Sequence, residues 1–247
     1  QGLVGRVVPG ETAEQEDSAI VLGARRSVEL GWTQIQNAGT SWGELARMRR
    51  LYGSGQIKLR VYESIRGPSP STDSLLAHGA TVGEFGGRYT VRTIKVAVDG
   101  ALGSRGALLL APYSDDASTS GLLTTDTTAF RIMLRAALAE GIQVETHAIG
   151  DGGNRLVLDA YAEAFAAVPK GSARPIENPR FRIEHAQIVD PADVPRFKEL
   201  DVIPSMQPSH AIGDLYFAPS RLGSTRLKGG YLWKTFIDMG LPVPGGS

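Results

Sequence analysis

The chain has no cysteine in its 247 residues. Disulfides and thiolate metal sites are excluded, so any metal must use histidine, carboxylate or a modified lysine. No apolar run approaches the ~20 residues of a membrane span. Neither sign of charge is in excess: 26 basic residues balance 26 acidic ones. No basic stripe is interleaved with aromatics, so neither nucleic acid nor an anionic membrane is expected as a partner. Internal repeats, coiled-coil heptads and low-complexity segments are absent. No signal peptide is recognisable, and nothing in the sequence assigns a compartment.

What is present is an alternation of strand and helix patterns, with 42% hydrophobic residues to build a core. A helix is predicted over about Glu14 to Leu30, then a strand over Thr33 to Asn37 and a helix near Trp42 to Tyr52. A strand follows at Ile57 to Tyr62, and a short helix near Thr72 to His78, where His78 caps a surface helix. The next strand holds Lys95, and a glycine- and serine-rich connection runs from Gly100 to Thr125. Asp126 reads as the N-cap of a helix that ends at Gly141. Strands ending at His147 and His185 flank a helix over Gly153 to Val168 and a linker from Pro169 to Pro179. Asp190 and Pro191 read as N-cap and first helical residue. Then come a strand over Val202 to Met206, a second long loop to about Lys228, a helix closing at Gly240 and a last strand near Pro242. Seven strands alternating with helices predict an α/β fold with a parallel sheet. The natural form is a (β/α)8 TIM-type barrel without its first strand and final helix, holding strands two to eight in one partial domain over 1–247.

Within this frame Lys95 is the most informative residue. In Arg92 to Gly100 strand alternation sets Ile94, Val96 and Val98 on one face and Thr93, Lys95, Ala97 and Asp99 on the other. A lysine among buried strand residues is costly unless its charge or nitrogen is used. It cannot bind metal as an ammonium, but could as a carbamate formed with CO2. An inward salt bridge with Glu145 or Asp99, or a Schiff-base lysine, is the alternative. His147 and His185 each end a later strand, so the three suggest a metal centre at the mouth of the barrel. Neutral imidazole suits Zn²⁺, Mn²⁺ or Fe²⁺, with zinc the first choice. Since Ile183 and His185 share a strand face, His185 points inward if Ile183 does; Glu184 then points to the helices as an ion-pair partner.

Several residues near the strand ends are candidates for substrate or proton work. Asp99 and Arg105 flank Asp99-Gly-Ala-Leu-Gly-Ser-Arg105, either orienting substrate or forming a loop salt bridge. Its glycine spacing does not match a dinucleotide loop. His210 ends Ser205-Met-Gln-Pro-Ser-His210 and is placed for substrate contact or proton transfer. Asn37 at the end of the first strand and Asp151 in the turn after His147 are further candidate substrate contacts. Ser209 beside His210 is not a nucleophile arrangement.

Lys95-Val-Ala-Val-Asp-Gly-Ala-Leu-Gly-Ser-Arg105, His147-Ala-Ile-Gly-Asp-Gly-Gly-Asn154, Arg182-Ile-Glu-His-Ala-Gln187 and Ser205 to His210, in this order, resemble the amidohydrolase superfamily. The resemblance is to its YtcJ-like, amidohydrolase-3 group of metal-dependent hydrolases, and it covers essentially the whole chain. It implies a binuclear metal site, with Lys95 matching the carboxylated bridging lysine and His147 and His185 matching the histidines of strands five and six. It also implies hydrolysis of a small-molecule substrate at an amide-type C–N bond. The group's first-strand His-x-His pair, its aspartate after Gly-Ser on strand eight and its flanking β-sandwich have no counterpart in this sequence. An incomplete barrel acting as a ligand-binding or assembly module, with open sheet edges that favour a homo-oligomer, is therefore the alternative.

Overall fold

The computed structural model describes residues 7–171 and 173–246. Six parallel strands form a curled sheet in the order β1 (Gln34–Thr40), β2 (Arg60–Arg66), β4 (Tyr89–Ala97), β5 (Gln143–Ala148), β6 (Arg182–His185) and β7 (Ile203–Ser205). A short β3 (Thr81–Gly83) pairs antiparallel with β4 through Thr81 and Val91. The main crossover helices are α1 (Ala13–Glu29), α2 (Glu44–Gly53), α3 (Pro70–His78), α5 (Thr127–Ala139), α6 (Asp151–Ala167) and α7 (Val194–Glu199). A four-residue α4 (Glu84–Gly87) sits between β3 and β4.

Local chemistry explains the helix starts. Thr12 and Gln15 form a reciprocal capping box on α1. Asp126 accepts the amides of Thr128 and Ala129 at the start of α5. The main core lies between sheet and helices, where Ile94, Val96 and Val98 pack with Phe130, Leu134, Tyr161 and Phe181.

The concave face is polar and arranged by height. Lowest is Gln143, which accepts hydrogen bonds from Tyr62 at 2.9 Å and Thr93 at 3.1 Å. Next come Gln36, Lys95, Glu145 and Arg182; Lys95 is in register with Glu145, and Glu145 with Arg182. Arg182 bonds both Glu145 and Gln36. His147 and His185 stand above, at the strand ends.

Some sequence expectations are corrected. The strand expected near Pro242 is present only as an isolated parallel bridge between Met206 and Gly245. The seventh strand of the sheet is instead β3. Strand β2 begins at Arg60, because Ile57 and Leu59 serve as buried approach residues. Asp190 caps a turn through the Ala192 amide, and Asp193 takes the N-cap position of α7.

Candidate active site

His147 sits on the same face of β5 as Gln143 and Glu145, so period-two alternation carries it to the mouth above the Glu145–Arg182 pair. His185 arrives differently. Arg182 and Glu184 are the inward residues of β6, and they pair at 2.9 Å. Ile183 is fully buried toward the helices. Alternation alone would send His185 outward with Ile183, but it has φ +77° and Ala186 has φ +39°, and this left-handed turn swings the ring back over the mouth. The expectation that Glu184 faces the helices is therefore corrected.

The rings of His147 and His185 lie 4.5 Å apart, edge to face. His210, on α8 (Pro208–Asp214), stacks on His185 with centroids 5.3 Å apart. Each imidazole has a polar neighbour on one nitrogen. His147 Nε2 lies 3.2 Å from Asp99 Oδ1, off the line of a hydrogen bond, and has no other partner among the described residues. His185 Nδ1 is 2.5 Å from Gln207 Oε1, and His210 Nδ1 is 3.0 Å from Gln187 Oε1. Burial, reinforced by His147, Lys95 and His210, depresses the His185 pKa to about 3. The ring is neutral near pH 7, the form that offers a lone pair.

Lys95 lies one level deeper. Burial lowers its pKa, against the opposing pull of Glu184 and Glu145. Among the described residues it makes no ion pair, and Glu145 is engaged by Arg182 instead. The alternative of a salt bridge from Lys95 to Glu145 or Asp99 is thus not formed among the described residues. Lys95 borders a cleft of about 950 Å³, floored by Ala38 to Ser41 and by Arg66 to Ser69.

The other predicted site residues are engaged elsewhere. Asp99 is buried and accepts the amides of Leu108, Ile149 and Gly150, so it ties the loop after β4 to the turn after β5. Asp151 does similar work on the Leu110 amide at 2.9 Å. Arg105 grips Asp115 through two hydrogen bonds of 3.1 Å, which is its loop salt-bridge form. Asn37 lies on the opposite face of β1 from the histidine mouth. Gln36 points inward to Ser64 and Glu145, so its neighbour Asn37 faces the α1–α2 side, where it borders a separate groove with Ile35 and Glu44.

The profile of the amidohydrolase family matches residues 1–247. The chain belongs to that family. It is 30% identical over 257 residues to the putative amidohydrolase YtcJ of Bacillus subtilis, covering 100% of this chain and 45% of that one. It is 38% identical over 215 residues to LONG AFTER FAR-RED 3 of Arabidopsis thaliana, covering 85% of this chain and 33% of that protein. The solved structure of an uncharacterized metal-dependent hydrolase from Pyrococcus furiosus superposes with a TM-score of 0.82 at 28% identity, over 96% of this chain and 47% of that one. The chain spans less than half the length of each of these relatives.

A divalent metal is what such relatives suggest, and the donors present fit one in kind. His147 has a buried nitrogen without a hydrogen bond, His185 has only one nitrogen engaged, and Lys95 has no counter-ion among the described residues. In number they fall short: among the described residues no group of three or more His, Asp or Glu side chains could hold an ion. Gln187, Gln207 and Asp214 were missed by sequence reasoning. The only signal for the glutamines was their place in the two histidine-bearing motifs.

Proposed function

We propose that this chain carries the central part of a metal-dependent hydrolase site that cleaves an amide-type C–N bond of a small molecule. The carrying observation is two histidines above a half-buried lysine that makes no ion pair among the described residues, all at one end of a parallel sheet. His147, His185 and a carboxylated Lys95 would hold a divalent metal, with zinc favoured over manganese or iron. A bound metal supplies an acidified water and polarises the scissile carbonyl. Lys95 is prepared for carboxylation because burial favours its neutral amine, whose lone pair adds to CO2 with release of one proton. Arg182 neutralises Glu145, which limits the negative charge beneath the new carbamate. His210 is within reach of the mouth to accept or return a proton, a role typically worth 10²–10⁴-fold.

One lysine and two histidines are donors for one metal, so weak binding of a single ion by this chain is expected. The test combines Zn²⁺ titration with ¹³C NMR in ¹³C-bicarbonate. Zinc binding lost in His147→Ala and His185→Ala, with a carbamate signal lost in Lys95→Met, is expected. Turnover of N-acyl and N-formyl amides should be chelator-sensitive. Zinc binding indifferent to all three substitutions would overturn the metal-site reading. Borohydride trapping of a substrate imine on Lys95 would replace it with Schiff-base lyase chemistry.

A further inference from the structure

Gln187 is buried at the turn after β6, and its side-chain amide bridges two groups. Its Nε2 donates to Asp214 on α8, and its Oε1 faces His210 Nδ1 at 3.0 Å. Asp214 also accepts a hydrogen bond of 2.7 Å from the Tyr231 hydroxyl. Tyr231 is itself fixed to the same turn, since its amide donates to the Gln187 carbonyl at 2.8 Å.

An amide and an imidazole are each ambiguous alone: the amide can flip, and the ring can carry its proton on either nitrogen. Asp214 removes both ambiguities. An ionised carboxylate only accepts, so it takes the NH2 end of Gln187. The oxygen end must then face His210, and an oxygen only accepts. His210 must therefore carry its proton on Nδ1, leaving the Nε2 lone pair free. His210 Nε2 makes no hydrogen bond among the described residues, and the ring is half-buried beside His185. The surrounding backbone supports a built arrangement. His185, Ala186 and Tyr231 all hold positive φ (+77°, +39° and +56°), a conformation that costs each non-glycine residue energy and that tends to persist at functional sites.

We propose that Asp214, acting through Gln187, is a positioning residue that locks His210 in the tautomer with Nε2 unprotonated, so that this nitrogen can accept a proton or hydrogen bond at the mouth. What His210 accepts rests on the hydrolase reading; how it is held does not.

The test is long-range ¹H–¹⁵N correlation NMR of the histidine rings in the metal-free protein. The wild-type chain should show a single His210 tautomer with Nε2 unprotonated. Asp214→Asn is nearly isosteric, but its amide can donate as well as accept, so Gln187 can flip. His210 should then populate both tautomers. Tyr231→Phe removes one donor and leaves the carboxylate, so the tautomer should stay as in wild type, which a merely structural role of the cluster would not predict. If hydrolysis is observed, kcat of Asp214→Asn should fall roughly 10–100-fold, the usual size of such losses of support around an active histidine, with KM within about twofold. A wild-type His210 protonated on Nε2, or an unchanged tautomer in Asp214→Asn, would overturn the proposal. The expected tautomers together with zinc binding indifferent to His147→Ala, His185→Ala and Lys95→Met would leave the positioning intact and sink the hydrolase reading instead.

Discussion

Neither carboxylate oxygen of Glu63, a fully buried side chain, has a well-formed hydrogen bond among the described residues. It lies on the helix-facing side of β2, because Tyr62 and Ser64 on either side bond inward. Burial, only partly offset by the neighbouring Asn37 amide and Tyr89 hydroxyl, raises its carboxyl from 4.5 to about 7. The folded chain thus keeps a proton that the unfolded chain releases. Its contribution to stability is full below about pH 4.5 and is lost as pH rises through about 7. The shift corresponds to roughly 3 kcal/mol at most. Glu63→Gln, which keeps the shape and removes the charge, should melt at a higher temperature than wild type near pH 8 and at a similar one near pH 5. Thermal melts across this range check it, and parallel curves for the two proteins would refute it. Burial of this acid was not legible in the sequence, since a lone Glu in a strand reads equally as solvent-facing. The same limit produced the error in the faces of Ile183 and Glu184. Period-two alternation ordered β4 correctly, yet a left-handed residue at the end of β6 reset the face there, and nothing in Ile-Glu-His-Ala-Gln announces that φ.

Among the elements, the two long connections after β4 and β7 read only as loops, and their composition hid a second core. Leu102, Leu109 and Tyr113 of the first pack with Ala218 and Leu222 of α9 (Ala218–Arg226) in the second, and with Ile149 and Ile188 below. Polar ties reinforce the joint: Arg226 donates to the carbonyls of Ala111 and Pro112 at 2.8 Å, and Asp115 receives both Arg105 and Arg221. Such contacts are non-local and follow no period, so pattern reading does not find them. Gly150 is where this cap meets the barrel. A β-carbon there would lie 2.0 Å from the Leu108 carbonyl oxygen, which is backbone and cannot step aside cheaply. Gly150→Ala should therefore lower stability by about 1–3 kcal/mol, in the range of overpacking. It should also expose the 100–125 segment to limited proteolysis. Gly23, inside α1, is the contrast, because a β-carbon added there would meet nothing within 4 Å. Gly23→Ala should stabilise by roughly 0.5–1 kcal/mol through helix propensity. A Gly150→Ala protein as stable and as protease-resistant as Gly23→Ala would show that the cap is not seated on the barrel as described.

At the scale of the whole molecule, the parallel α/β architecture was the most legible feature, because alternating strand and helix periods leave little choice of topology. Among the described residues β1 pairs only with β2, and β7 pairs only with β6 apart from the bridge at Gly245. Each end of the sheet thus offers a row of backbone donors and acceptors, while β4 and β5 are paired on both sides. Unpaired edges invite another strand, and exposed apolar side chains on the nearby α1 and its exit, Leu22, Val28, Leu30 and Trp32, add surface that association would cover. Amide exchange should therefore grade across the sheet, slowest in β4 and β5 and faster at β1 and β7. As protein concentration rises, sedimentation velocity should show a growing larger species, and the β1 amides should slow in step with it. Concentration-dependent association without added protection at β1 would place the contact elsewhere, on the apolar face of α1. A chain that stays monomeric at high concentration, with β1 as protected as β4, would mean that the edge is covered within the chain itself and that self-association plays no part in its stability.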